Sequence, residues 1–350
     1  MTFRENVLKS VRFETPDYIP MTFELNDACW DYYEQEFLFE LMESHPLLFP
    51  DFKHPKGKYV PAYLPNARKD IPFIDDWGCT WQTSTDGITG TVTKHPLESW
   101  QLFSDYQSPN PHHCMGTGPI DWQEENHRIQ NLKHNEKLAK AGLRHGHTFL
   151  QLCDIRGYEN LIFDMVDEEP GLPRLIQMVE DFNLEIVKHY LAMDIDMMIY
   201  AEDLGMQNGP MLSPAQFQKY IRPSYERLMH PAKEKEVLIH MHSDGDIRTL
   251  SDSLMIAGVD VLNLQDLVNG IDWIKENLKN RVCIELDIDR QQITASGTPK
   301  EIDSLIREEV MKLGSAKGGL MMIYGLYPGV PAENIKALMN AMEKYSLYYS

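Results

Sequence analysis

The sequence predicts an α/β protein of parallel-barrel type with an elaborated N-terminal region, and three observations predict it. From Asn135 onward, apolar runs of strand length alternate with longer amphipathic stretches of helical period. Two successive predicted strands end in groups able to bind a metal or move a proton, each just before a glycine-containing turn. Residues 194–201 run into Glu202-Asp203-Leu204-Gly205, and residues 237–240 close on His240-Met241-His242 before Ser243-Asp244-Gly245. In a parallel barrel the strand ends share a C-terminal face on which the βα loops build the site. Finally, a chain of 350 residues has room for such a barrel, which takes about 250 residues with insertions on top. One domain spanning 1–350 is expected.

The elements follow in order. Residues 1–135 are crowded with proline, aromatic residues and turns and read as an N-terminal elaboration with the first barrel elements; 136–350 read as regular β/α units. Stretches 1–12 and 31–43 are amphipathic and predict helices, and a proline-rich irregular excursion occupies 46–72. A hairpin is expected from Asp75 through Trp81, with Asp86-Gly87 as turn and 89–93 as the returning strand. Strand 148–152 comes next. Helix 173–193 carries Leu175, Ile176, Val179, Phe182, Ile186 and Leu191 on one face. Strand 196–201 leads to helix 214–233, entered by Ser213 as N-cap with Pro214 in the first turn. Strands 237–240, 259–262, 282–286 and 320–323 alternate with helices 249–257, 271–278 and 299–313, the last starting after Gly297-Thr298. A final helix covers 331–345. Strands at this spacing, each followed by a helix, imply a parallel sheet. No Gly-x-Gly-x-x-Gly follows any of them, which argues against a dinucleotide fold.

Composition narrows the function class. A net charge of −20 disfavours nucleic acid or an anionic membrane as the general partner. With 10% aromatic and 25% charged residues the chain is expected to be globular rather than disordered. No apolar run approaches the ~20 residues of a membrane span, and the start Met1-Thr2-Phe3-Arg4-Glu5 lacks a signal-peptide pattern. Five cysteines without CxxC spacing make no disulfide framework, so a reducing cytoplasm is the expected compartment.

The residues nominate a site. Side chains two apart on a strand point to one face, so His240 and His242 can converge, and neutral imidazoles are common zinc ligands. The bland alternative is a pair of partly buried histidines bonded to loops. Glu202 and Asp203 read either as site groups or as a solvated loop start. Cys283, Glu285 and Asp287 alternate along one strand, and Cys283 is the candidate to complete a metal shell, against a buried structural cysteine. Asp289-Arg290 reads as an ion pair in a loop. His112-His113-Cys114 reads as an exposed loop, and Met197, Met198, Met321 and Met322 read as core filler.

Longer segments carry a resemblance. Arg12-Phe13-Glu14 through Pro16-Asp17-Tyr18-Ile19-Pro20, Glu202-Asp203-Leu204-Gly205 with the Leu212-Ser213-Pro214 helix start, and the strand and turn from His240 to Ile247 belong to it. So do Gly258-Val259-Asp260-Val261-Leu262-Asn263, Leu286-Asp287-Ile288-Asp289-Arg290-Gln291, Gly297-Thr298-Pro299 and Pro331-Ala332-Glu333-Asn334. Together, in order and over nearly the whole chain, they resemble uroporphyrinogen decarboxylase-like proteins. The resemblance implies a (β/α)8 TIM-type barrel and two possible chemistries.

In the decarboxylases, arginines shortly after the opening proline hold a polycarboxylate substrate, and a His lies at the position of Tyr324. Here the corresponding segment is Met21-Thr22-Phe23-Glu24-Leu25-Asn26, without a basic residue. The other branch comprises zinc methyltransferases that serve corrinoid proteins. Its thiol-methylating members use His-x-Cys and a further Cys at the position of Tyr324; relatives that demethylate methoxylated aromatics use harder carboxylate and histidine ligands, to which Glu202 and His240 are similar. The resemblance therefore implies a zinc-dependent O-demethylase passing a methyl group from a small methoxylated compound to a cobalamin carried by a partner protein. The expected metal ligands are Glu202, His240, His242 and Cys283. Tyr324 and Asp203 are expected as catalytic groups, and Trp30, Tyr33, Trp77, Trp81 and Tyr327 as substrate contacts, with ordinary packing as the alternative for each aromatic. A homodimer is compatible with this reading. The alternatives are a metal-independent decarboxylase of a small acid, using Asp75, Asp76 or Tyr324, and a non-catalytic barrel that binds a small molecule.

Overall fold

The computed structural model describes residues 1–350. Its parallel strands are β1 (Met21–Leu25), β2 (Lys140–Gly142), β3 (Met197–Asp203), β4 (Leu238–Asp244), β5 (Val261–Gln265), β6 (Cys283–Asp287) and β7 (Leu320–Leu326). Seven strands thus carry the parallel repeat where the resemblance implies eight. The chain folds as two compact units, each assembled from separated stretches: 1–71, 83–90 and 265–350 in one, 72–82 and 91–264 in the other. The change of texture near residue 135 does not coincide with this division.

In the first unit, β7 lies between β1 and β6, with Met21 and Leu286 both in register with Met322. Helix Phe3–Arg12 opens the unit on a capping box between Thr2 and Glu5, and helix Pro299–Leu313 opens on a second one between Thr298 and Glu301. Each box satisfies amides that a helix start leaves without an intrahelical partner. The latter helix turns Ile302, Leu305, Ile306, Val310 and Leu313 inward, as its 3.6-residue period demands.

In the second unit, β2, β3, β4 and β5 are neighbours in that order and run parallel. Their residues are mostly buried, all five in β5, as befits strands covered on both faces. Helix Leu172–Leu191 buries Leu175, Val179, Phe182 and Ile186, the face read from the sequence. Thr80–Gln82 and Thr91–Lys94 pair antiparallel, Trp81 against Val92, which is the expected hairpin.

Three expectations are corrected. Residues 148–152 begin helix Phe149–Arg156, and the strand of that repeat is β2, several residues earlier. The helix is buried nearly all round (Phe149, Gln151, Leu152, Cys153, Ile155 and Arg156), and a short apolar run does not distinguish a buried helix from a buried strand. The expected helix 214–233 is divided into Pro214–Gln216, a π turn at Phe217–Ile221, and Arg222–Glu234. Pro223 has no N–H and crowds the carbonyl one turn back, and a π turn relieves both problems. Finally, the expected helix 31–43 is interrupted between Cys29–Tyr32 and Gln35–Ser44.

Candidate functional site

Three side chains of the second unit converge at the carboxyl ends of its strands. His145 stands in the loop after β2, Asp203 is the last residue of β3, and His242 lies near the end of β4. Each offers one donor atom, and the three atoms lie within 4.8 Å of one another. The Asp203 carboxylate is the hub, its Oδ1 3.3 Å from His145 Nε2 and 3.6 Å from His242 Nε2. Asp244 Oδ1 stands 3.8 Å from His242 Nε2.

Strand geometry explains the grouping. In the register of β3 with β4, Ala201 faces His242 and Asp203 faces Asp244, so alternate residues at the strand ends bring histidine and carboxylates to one face. The ring of His242 is fixed from behind by a hydrogen bond between its Nδ1 and Asn263 Oδ1 on β5. An amide oxygen can only accept, so Nδ1 carries the proton and Nε2 is turned toward Asp203.

The loops that carry the cluster are clamped. Leu143 and Gly146 donate their amides to the carbonyls of Ile199 and Ala201, and Arg144 is tied to Asp154 at 2.6 Å and Gln151 at 2.8 Å. Beyond the cluster, Gly245 has φ +79°, and a Cβ there would lie 2.1 Å from the Gly205 carbonyl carbon. Only glycine allows that backbone approach of the loops after β3 and β4.

Electrostatics follow from the geometry. Burial opposes the charged His242 imidazolium, but the bond to Asp203 and the charges of Asp244 and Asp203 outweigh it and raise the ring to about 9. Burial likewise opposes the Asp203 anion, and the bonds to His145 and His242 overcome it, holding the carboxyl well below its usual range. His147, two residues beyond His145, is pushed down to about 3 by burial and by Arg144 and His145. The cluster therefore holds a proton near neutrality that a bound cation would have to displace.

The expected ligands fare differently. His242 is in the cluster. His240 lies on the same face of β4, two residues deeper, and offers no atom to it. Glu202 points to the opposite face of β3 from Asp203. It is fully buried, and its oxygens accept the amides of Thr148, Phe149 and Leu150 and the hydroxyl of Tyr225. The place assigned to Glu202 is thus taken by Asp203, expected as a catalytic group. Cys283 is buried in β6 of the first unit. His145 was missed by sequence reasoning. Its signal is Arg144-His145-Gly146-His147, which follows a strand just as His240-Met241-His242 ends one; misplacing the strand at 148–152 put this stretch before a strand instead of after it.

The remaining residues divide between the units. In the second, Trp77 is 2% exposed and packs edge-on against Phe182 at 5.0 Å. Trp81 is buried and donates to Asp75 at 2.8 Å. Asp75 also accepts from the amides of Trp77 and Cys79, so its oxygens staple a turn, and Asp76 is exposed. Trp77 is thus packed against Phe182, and the Arg144 guanidinium lies over the Trp81 ring at 5.6 Å. In the first unit, Tyr324 is fully buried, donates to Thr294 Oγ1 at 3.1 Å, and is pushed by burial to about 12. Tyr327 is exposed beneath the Arg290 guanidinium at 5.6 Å, and Arg290 pairs with Asp287 at 2.7 Å rather than with Asp289. Trp30 and Tyr33 line a surface groove of ≈ 580 Å³ with Phe39, His54, Glu34 and Glu36. The Tyr33 hydroxyl donates to the Val330 carbonyl at 2.8 Å.

The sequence profile of the family described as Uroporphyrinogen decarboxylase (URO-D) matches residues 148–345, more than half of the chain. Curated relatives include a uroporphyrinogen decarboxylase of Prochlorococcus marinus, 27% identical over 51% of this chain and 49% of its own length. One of Synechococcus sp. is 24% identical over 48% and 47%. The chain thus spans about half the length of the curated relatives it matches. Among solved structures, a methyltransferase from Methanosarcina mazei is similar over 100% of both chains, with a TM-score of 0.69 and 15% identity.

Proposed function

The chain belongs to the uroporphyrinogen decarboxylase family, and from that premise we propose that it is a zinc-dependent methyltransferase. It takes a methyl group from a small methoxylated compound, in the first instance an aryl ether, and passes it to the cobalt of a separate corrinoid protein. The observation that carries this reading is the cluster of His145, Asp203 and His242. Two imidazoles and a carboxylate suit zinc, and three protein ligands with one position open are the pattern of catalytic rather than structural zinc sites. Bound there, zinc would supply Lewis acidity to an ether oxygen.

The chain's own residues do the rest. Asn263 holds the tautomer of His242, and Asp203 brings the two imidazoles to one point. The cluster itself lies at the carboxyl ends of β3 and β4, where parallel α/β folds receive substrates. Nitrogen and oxygen donors are harder than the thiolates of the thiol-methylating branch, which favours an ether over a thiol as partner of the metal. The whole-chain likeness to a fold named as a methyltransferase is in keeping with this branch.

The curated relatives favour a second reading, a decarboxylase working without metal. Elemental analysis separates the two. The purified protein is expected to hold one zinc per chain, bound far more weakly in His242→Ala and His145→Ala while the fold is retained, and to demethylate a methoxybenzoate only when a corrinoid protein is added. Well-folded, zinc-free protein that decarboxylates an acid would replace the methyltransferase reading with the lyase.

A further inference from the structure

Glu202 is the most heavily engaged carboxylate near the cluster, yet it does not belong to it. Helix Phe149–Arg156 begins without a cap of its own, since the Thr148 side chain accepts nothing from the first turn. The cap comes from β3 instead: Glu202 Oε2 accepts from the amides of Thr148 at 3.1 Å and Phe149 at 2.8 Å, and Oε1 from Leu150 at 3.1 Å. An anion at a helix start is held by these orphan amides and by the helix dipole. Tyr225 donates a further bond at 2.7 Å from helix Arg222–Glu234.

The next residue grips the same segment from the other side, Asp203 meeting the His145 side chain at 3.3 Å. Between these grips the loop has little freedom. Gly146 donates to the Ala201 carbonyl at 2.8 Å, and Asn183 donates to the His147 carbonyl at 2.6 Å. Consecutive residues of one strand thus set both the backbone path of the loop and the reach of its histidine.

We propose that Glu202 is a positioning residue: by capping the helix that follows the loop, its buried carboxylate fixes His145 within reach of Asp203 and His242, without touching the bound group. The consequence for metal affinity rests on the zinc reading above; the placement of His145 does not. A glutamine at 202 cannot reproduce the whole cap, because with its oxygen toward Thr148, Phe149 and Tyr225 its –NH2 group is turned toward the Leu150 amide donor.

The test is a double-mutant cycle on zinc affinity with a readout in the metal-free protein beside it. Glu202→Gln is expected to weaken zinc about ten- to a hundredfold, the range for outer-shell partners, and His145→Ala to weaken it as well. The double variant should lose little more than His145→Ala alone, since both act through one ligand. In metal-free protein, Glu202→Gln should shift the imidazole NMR signals of His145 and speed hydrogen exchange of the amides at 148–150. Tyr225→Phe, which removes one bond of the four, should do the same more weakly and covers the case in which Glu202→Gln fails to fold. Independent, additive losses of affinity would overturn the proposal, as would unchanged His145 signals in a folded variant. Wild-type protein that takes up no zinc would end the metal reading, and the NMR comparison would then decide the placement by itself.

Discussion

Glu202 and Asp203 are neighbours that do opposite work, because successive side chains on a strand point to opposite faces. Composition at the end of β3 announced a site, but with two acids in a row it did not say which faces the cluster; that is fixed by the register of Ala201 with His242. His242 was legible because a histidine two residues from another at a strand end marks a shared face. Its partner Asn263 was not, since an asparagine on the next strand gains meaning only once β5 lies beside β4. Removing that partner, as in Asn263→Ala, is expected to lower zinc affinity about ten- to a hundredfold, measurable with a competing chelator. The pH behaviour has a definite sign. In metal-free protein His242 is raised to about 9 from an unperturbed value of about 6.5, so the stability it contributes is full below about pH 6.5 and is lost as pH rises through about 9. Asp203, held below its usual range, contributes above about pH 4 and loses its share only in stronger acid. The wild-type urea midpoint should therefore fall relative to that of His242→Ala between pH 6.5 and 9, and apparent zinc affinity should rise over the same interval as the competing proton leaves. A wild-type midpoint that tracks the variant across this range would show that the ring is not held protonated.

At the scale of elements, the alternation of strands and helices was readable wherever a run was long or carried a cap. Ser213, whose hydroxyl accepts from the Gln216 amide at 3.2 Å, marked a helix start correctly, and the same holds for Thr298. The reading failed where a helix is buried on all sides, at 149–156, and where Pro223 turns a continuous pattern into a π turn; both need the neighbouring elements to be known. The glycines at 205 and 245 were noted as turn residues, but their backbone contact pairs two distant segments and has no local signature. Gly245→Ala would place a methyl group 2.1 Å from the Gly205 carbonyl carbon at a φ of +79°. A cost of about 3 kcal/mol or more is expected, in the range of severe backbone substitutions. Because the loops after β3 and β4 would be driven apart, zinc affinity should fall with it. Gly118→Ala, in the same unit with nothing within 4 Å of the added carbon, should stay within about 0.5 kcal/mol of wild type. Equal thermal midpoints for the two variants would show that the Gly205 and Gly245 contact does not hold these loops.

For the whole molecule, the parallel α/β class was legible because it is written in a repeat, while the division into two interleaved units was not, because it depends on contacts between distant stretches rather than on composition. Net charge is the global property that bears most directly on substrate choice. A porphyrin octacarboxylate brings many negative charges to a chain that itself carries −20, and that approach costs electrostatic work unless a local cationic cluster reverses the field. The first strand and the residue after it, where the decarboxylases of the resemblance carry arginines, read Met21-Thr22-Phe23-Glu24-Leu25-Asn26. A neutral ring such as 2-methoxyphenol pays no such cost. Calorimetric titration is therefore expected to show binding of neutral 2-methoxyphenol, binding of 3-methoxybenzoate, whose single charge costs far less than eight, and none of the octacarboxylate. For the neutral ligand the affinity should not change between roughly 10 and 300 mM salt, because a neutral partner leaves nothing for salt to screen. Turnover should also need a separately added corrinoid protein, because the methyl group requires an acceptor. Demethylation by this protein alone would remove the corrinoid from the scheme, and tight binding of the octacarboxylate with no response to either methoxylated ring would return the chain to the decarboxylase chemistry of its curated relatives.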